Sequence, residues 1–231
     1  MPKPSHEVMN FWDSASESLS QISKTMPPKV AQIATAAAEI FMQSGYEAAS
    51  MDEIARRAQV SKATVYAHFK SKSELFGSLM RGVSEVRISA LFESGVPQND
   101  VHATLEVIFE RIIHMMLIPS SLGLYRVIVA ESARFPELGD AYYRAGPALV
   151  IDRLAQLLAG WHDSGLVEVD QPRAIAELLY GALRGDLQMR RLLGVGAIEG
   201  ASEDPRAIVR RVIAFFLAAF SKAPLNPPER A

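Results

Sequence analysis

Apolar residues in this chain recur at helical spacing over most of its length, and no stretch alternates long enough to form a strand. Pro27-Pro28 opens a first helix whose stripe is Val30, Ile33, Ala34, Ala37 and Phe41, and Gly45 ends it. Ser50 and Glu53 form an S-x-x-E capping box that starts a short helix at Met51, with Ile54, Ala55 and Ala58 turned inward. Gln59-Val60 is a turn, and Ser61 caps a third helix in which Val65 and Phe69, four residues apart, point to the core. A second box, Ser71 to Glu74, begins a longer helix from Lys72 to near Phe92.

Past Gly95-Val96-Pro97, Asp100 caps a helix with Val101, Leu105, Ile108, Ile112 and Met115 on one side. Pro119 starts another, to near Ala133, and Pro136 starts a long one to Ala159 with Gly146-Pro147 as its kink point. Asp170 caps a helix to near Leu192, and Asp204-Pro205 opens the last, to near Phe220. Leu166 to Val169 is too short for a strand. The expected fold class is all-α, about nine helices, with a three-helix N-terminal head followed by a helical bundle.

The stretch from Ser50 to Phe69 carries the most specific chemistry. Two short helices joined by a tight turn are how a helix-turn-helix enters the major groove. With Val65 and Phe69 inward, the outer face of the second helix centres on Ala63 and Ala67, flanked by Thr64 and Tyr66. Two alanines let the backbone approach base edges, and their methyls can meet a thymine methyl. Thr64, Tyr66 and His68 can reach phosphates or bases. Lys72, at a capped helix N-terminus, suits a backbone phosphate.

The run from Gly45 to Phe76 resembles the DNA-binding signature of the TetR/AcrR family of bacterial regulators. The matching elements are Gly45-Tyr46, Ile54-Ala55, Val60-Ser61-Lys62, Thr64-Val65-Tyr66, His68-Phe69 and Ser71 to Leu75. Two positions depart from that pattern: Gln59 stands for the common turn glycine and Ala63 for a glycine early in the recognition helix. A left-handed non-glycine residue costs roughly 1–2 kcal/mol, so a slightly reshaped turn is expected. The run AESARFPELGDAYYRAGPALVIDRLAQLL, followed by Gly165-Leu166 and Asp170-x-Pro172, resembles the AefR-like branch of C-terminal domains in the same family.

The resemblance implies DNA contacts from Ser50, Met51, Ser61, Lys62, Ala63, Thr64, Tyr66, Ala67, His68 and Lys72. It also implies a C-terminal half that dimerises and often binds a small molecule that releases DNA. The expected organisation is an N-terminal arm (1–26), a helix-turn-helix domain (27–72), a ligand-binding and dimerisation domain (73–223) and a tail (224–231). The arm reads either as a solvated tail or, through Lys24 and Lys29, as a DNA-touching extension.

Charge changes the picture locally. The 231-residue chain has a formal net charge of −2, which by itself argues against nucleic acid. Yet between Ala55 and Arg81 six basic residues face one acid, Glu74, a net of +5. Without the helix-turn-helix these charges would read as a solvated surface. With it they form a basic module on an acidic body. The absence of cysteine excludes disulfides, thiol catalysis and cysteine–zinc sites. The longest apolar run, Val212 to Phe220, is too short to span a bilayer, and the first residues lack a signal-peptide core. A cytoplasmic location without membrane partners is expected.

In the final helix Val209, Val212, Ile213, Phe216, Leu217 and Phe220 make one stripe, broadened by Ile208, Phe215 and Ala219. In the preceding helix Ile175, Leu178, Leu179 and Ala182 make one stripe, and Ala176, Tyr180, Leu183 and Leu187 another. Helices apolar on two sides are buried on two sides, within a wide core or against a second copy. The dimer reading selects Leu179, Leu183, Leu187, Ile208, Val212, Phe215 and Ala219 as interface candidates, because twofold dimers suit palindromic DNA.

Phe109, His114, Met115, Met116, Tyr125, Glu131, Tyr142, Tyr143 and Trp161, with Phe135, are candidates to line a cavity for a small apolar or amphipathic ligand, or are simply core. Glu131 and Arg134 are spaced to pair with each other. The five histidines show no metal-ligand spacing, and no nucleophile, phosphate-loop or dinucleotide motif is present, so no enzyme activity, cofactor or metal is expected. The expected function is sequence-specific transcriptional regulation by a homodimer on a palindromic double-stranded operator, a repressor released by ligand. The alternative is a constitutive or architectural DNA-binding protein without a ligand.

Overall fold

The computed structural model describes residues 23, 26–93, 95–97, 100–196 and 204–221. Ten helices occupy them: α1 (Pro28–Ala48), α2 (Met51–Arg57), α3 (Lys62–His68), α4 (Lys72–Glu93), α5 (Val101–Leu117), α6 (Pro119–Ser132), α7 (Pro136–Ala145), α8 (Pro147–Asp163), α9 (Pro172–Leu193) and α10 (Pro205–Phe220). The fold is all-α, and the count is nine if α7 and α8 are taken as one helix broken at Gly146. Pro147 imposes that break, since it offers no N–H to continue the ladder. Leu166–Val169 contributes a single antiparallel bridge, Val167 to Ser221, rather than a strand. No single described helix is long and apolar enough to cross a membrane.

The chain forms two compact units. One holds the described residues of Met1–Ser89 together with Ile118–Ala148, so α6 and α7 pack with the head rather than apart from it. The other holds Ala90–Leu117 and the described residues from Leu149 onward. This division does not follow the expected boundary after residue 72. The expected arm, apart from Ser23 and Met26, and the tail lie outside the described residues.

In the first unit one apolar core joins Ile33, Ile40 and Phe41 of α1, Ile54 of α2, Val65 of α3, Leu75 and Phe76 of α4, Leu124 and Ile128 of α6 and Leu138 of α7. The stripe read from α1 faces this core, and the regular helix breaks at Gly45 as expected. Gly45 adopts φ 77° and ψ 174°, a non-helical conformation that glycine tolerates, and a further short helical segment runs on to Ala48. In the second unit α5, α9 and α10 pack on one another in all three pairings. Leu105, Ile108, Phe109, Leu183, Leu187, Val209, Ile213 and Phe216 are buried there. Helix α9 is interrupted at Gly185 (φ 36°), which apolar spacing does not reveal. Its cap also differs from expectation: the N-cap position is Gln171 without a side-chain hydrogen bond, and Pro172 rather than Asp170 marks the start.

Candidate nucleic-acid interface

Each short helix of the head is set by its N-cap. Ser50 Oγ accepts from the Glu53 amide at 3.1 Å, and Ser61 Oγ accepts from the Thr64 amide at 3.0 Å. Ser71 Oγ accepts from the Glu74 amide at 3.1 Å, while the Glu74 carboxylate reaches back to the Lys70 amide at 2.7 Å. These bonds satisfy donors that a helix start leaves unpaired.

The turn between α2 and α3 keeps a left-handed residue despite lacking glycine. Gln59 has φ 54°, its amide donates to Arg56 O at 3.2 Å, and the Val60 amide donates to Ala55 O at 3.0 Å. That is the paired hydrogen bonding of a Schellman end, so the turn is not reshaped and Gln59 carries the strain.

With Val65 fully buried, Ser61, Lys62, Ala63, Tyr66, Ala67 and His68 are all exposed. This is the face expected from spacing. Thr64 is half-buried, with its hydroxyl 2.8 Å from Ser61 Oγ. Lys62 Nζ donates to Asp52 at 2.5 Å. Both partners of this pair are solvent-exposed, so it is worth little and can be exchanged for a phosphate. Ser50 is exposed at the start of α2, whereas Met51 is largely buried in the core.

Lys72 departs furthest from expectation. Its ammonium donates to three backbone carbonyls at the end of α1, those of Tyr46 (2.6 Å), Glu47 (3.1 Å) and Ala49 (3.0 Å). It also lies 4.4 Å from the centre of the Tyr46 ring. All three N–H donors are thereby used in capping the end of α1. Burial lowers the Lys72 pKa from its ordinary value, opposed by the charges of Glu137 and Glu47.

Tyr46 sits among aromatic rings: Phe41 at 5.8 Å, Phe76 at 5.3 Å and Phe135 at 5.6 Å between centroids. Its hydroxyl donates to Glu137 at 3.2 Å. Burial first, then the charge of Glu137 and the hydrogen bond to it, raise the Tyr46 pKa well above its ordinary value. Arg134 pairs with Glu47 at 2.5 Å and stacks over the Phe135 ring, which corrects the expected Glu131–Arg134 pair. Glu131 instead accepts the Arg134 and Phe135 amides through its backbone carbonyl.

The ligand candidates divide between the units. Tyr125, Glu131, Tyr142 and Tyr143 belong to the first, where the Tyr125 and Tyr142 rings are 5.8 Å apart and Tyr143 is exposed. Phe109, Met116 and Trp161 of the second are buried, Met115 is half-buried, and His114 is exposed. His114 lines an open groove of about 660 Å³ between α5 and the start of α10, with Val107, Arg111, Leu117 and Arg206. That volume lies within the range of small-molecule sites.

The interface candidates need correction. Leu179, Leu183, Leu187 and Val212 are buried within the protomer. Ile208 is half-buried, Ala219 is exposed and Phe215 is 70% exposed. The outward side of α9 carries Leu178 (67% exposed), Ala182, Met189 and Leu193. Spacing hinted at this face, since Leu178, Ala182, Gly185 and Met189 follow a heptad-like interval.

Comparison with known proteins agrees with these features. Residues 33–79 match the family model described as bacterial regulatory proteins, tetR family. Residues 103–222 match that of the AefR-like transcriptional repressor, C-terminal domain. The HTH-type transcriptional activator FasR of Mycolicibacterium smegmatis (strain ATCC 700084 / mc(2)155) is 34% identical over 150 residues, covering 63% of this chain and 64% of FasR. The uncharacterized HTH-type transcriptional regulator YhgD of Bacillus subtilis (strain 168) is 37% identical over 82 residues, 34% of this chain and 43% of YhgD. The chain thus spans less than two thirds of the length of either relative. Among solved structures, the Flavonoid-responsive Regulator FrrA is 31% identical, with a TM-score of 0.66 over 85% of this chain and 99% of FrrA.

Proposed function

Because the chain belongs to the TetR family of bacterial regulators, whose members bind DNA to control transcription, we propose that it is a sequence-specific repressor that binds a palindromic operator as a homodimer and leaves it when a small molecule binds. The observation that carries the DNA-reading part is α3. Its inner residues are buried, and its outer face presents Ala63 and Ala67 between Lys62, Tyr66 and His68. Small residues at the centre let the helix sink into a major groove, and the polar flanks fix its register on phosphates.

The dimer reading is supported by Leu178, Met189 and Phe215, large apolar side chains that two packed helices turn to solvent. Covering one such side chain is worth about 1.5–3 kcal/mol. A ligand response is supported by the groove beside His114 and by the likeness to a flavonoid-responsive regulator. Repression is supported by the C-terminal family description. The switch is a coupling free energy: ligand favours a dimer geometry whose heads no longer fit adjacent major grooves. A cytoplasmic location follows from this role.

Selection of bound duplexes from a random pool, followed by challenge with a panel of aromatic and acyl metabolites, tests the reading. Half-sites about one helical turn apart, released by one class of compound, are expected. Binding without sequence preference would overturn the proposal. Specific binding indifferent to every compound would leave a constitutive regulator.

A further inference from the structure

The corner between α6 and α7 is tied to the chain at the point where it enters the helix-turn-helix. The corner is built by its own backbone: the Arg134 and Phe135 amides donate to Glu131 O, and the Leu138 amide donates to Phe135 O. From this corner Arg134 pairs with Glu47, Phe135 packs edge-on against Tyr46, and Glu137 accepts the Tyr46 hydroxyl. Tyr46 and Glu47 lie between the left-handed Gly45 and Ser50, the N-cap of α2. The other end of the motif joins the same knot, because Lys72, the first residue of α4, holds the carbonyls of Tyr46, Glu47 and Ala49. Entry and exit of the α2–α3 pair therefore meet at one place, and the α6–α7 corner grips it.

We propose that the Arg134–Glu137 corner is a positioning clamp on the DNA head: by holding Tyr46 and Glu47 it sets the orientation in which α2 and α3 meet DNA. This role lies outside the DNA-contacting surface, since none of these groups belongs to the outer face of α3. Each contact is individually modest; the Arg134–Glu47 pair is solvent-exposed on both sides. The clamp thus tunes the head more than it stabilises the fold. A rearrangement that moves the corner would be felt as a change in DNA affinity.

Charge exchange in the full-length chain separates this from generic effects. Glu47→Arg adds positive charge to the head, so simple electrostatics would tighten DNA binding, while Arg134→Glu would weaken it. The clamp requires both to weaken binding to a duplex selected by the unaltered protein, by about fivefold each, the scale of one exposed ion pair turned repulsive. The double exchange should return to within about twofold. In the free protein, amide hydrogen exchange at residues 46–51 should accelerate in each single variant and recover in the double, with the melting temperature of all three close to the original.

Tighter binding by Glu47→Arg, or losses that simply add in the double variant, would overturn the clamp. Should a charge variant fail to fold, Tyr46→Phe and Glu137→Ala remove the hydroxyl contact without adding charge. Unchanged exchange and affinity in both would overturn it equally. A chain that selects no DNA sequence would refute the regulator reading while leaving the exchange measurement to decide the clamp.

Discussion

Helix α3 and the α9–α10 pair each turn a face to solvent, with opposite chemistry. Around its exposed alanines, α3 presents Lys62, Tyr66 and His68. Helices α9 and α10 expose Leu178, Met189, Leu193 and Phe215. An exposed alanine costs little, and a polar rim suits a wet, charged partner such as DNA. Several large apolar residues on neighbouring helices suit a dry partner, which on a protein surface is most simply a second copy. The difference teaches that burial alone does not mark function. What matters is which side chains remain outside once each core is satisfied.

The contrast is broken most strongly at α10. Phe215→Glu would bury an unpaired carboxylate in a dimer, a loss of about 3–5 kcal/mol, and should yield folded monomers by sedimentation and circular dichroism. Specific DNA affinity should fall with it, because one half-site is lost. Leu187→Glu, aimed into the protomer core, should instead unfold the chain. A folded Phe215→Glu dimer would remove that residue from the interface.

On α3, Ala67→Glu adds bulk and negative charge to the exposed face while leaving Val65 in place. Operator binding should drop at least about a hundredfold, roughly 2.7 kcal/mol, with unchanged melting and dimerisation. Tight operator binding by this variant in a gel-shift titration would mean that another face reads DNA.

The knot beside α3 is probed by Lys72→Met. It removes a cation from three carbonyls, and about 1–3 kcal/mol of stability should be lost, read as a lower denaturation midpoint. The salt slope of DNA binding should stay nearly constant. A fall of about 1 in that slope would restore Lys72 to the phosphates.

The smallest effect is expected at Gln59. Glycine there relieves a left-handed strain of roughly 1–2 kcal/mol but loses part of it to chain entropy, so Gln59→Gly should stabilise by about 0.5–1 kcal/mol in chemical denaturation. A lower midpoint would show that the Gln59 side chain contributes more than its strain costs.

What the sequence determined by itself was local. Caps at Ser50, Ser61 and Ser71, and the four-residue interval between Val65 and Phe69, define α2, α3 and the start of α4, because capping and periodicity act within one or two turns. The exposed face of α3 followed, since a helix this short has one core side and the remainder is outside. The two-sided character of α9 was equally plain in its spacing. Which side faced inward was not, because periodicity marks faces without naming what covers them. Leu179, Leu183 and Leu187 went to the protomer core and Leu178 and Met189 to solvent only once α5 and α10 were packed against α9. Lys72 shows the same limit in charge. Its position at a helix start suited a phosphate, yet tertiary packing brought it onto carbonyls more than twenty residues earlier in the chain. Arg134 likewise passed over Glu131 for the distant Glu47. Contacts between residues far apart in sequence depend on how helices dock, and docking is settled by the shape of the whole core, which no short window of residues contains.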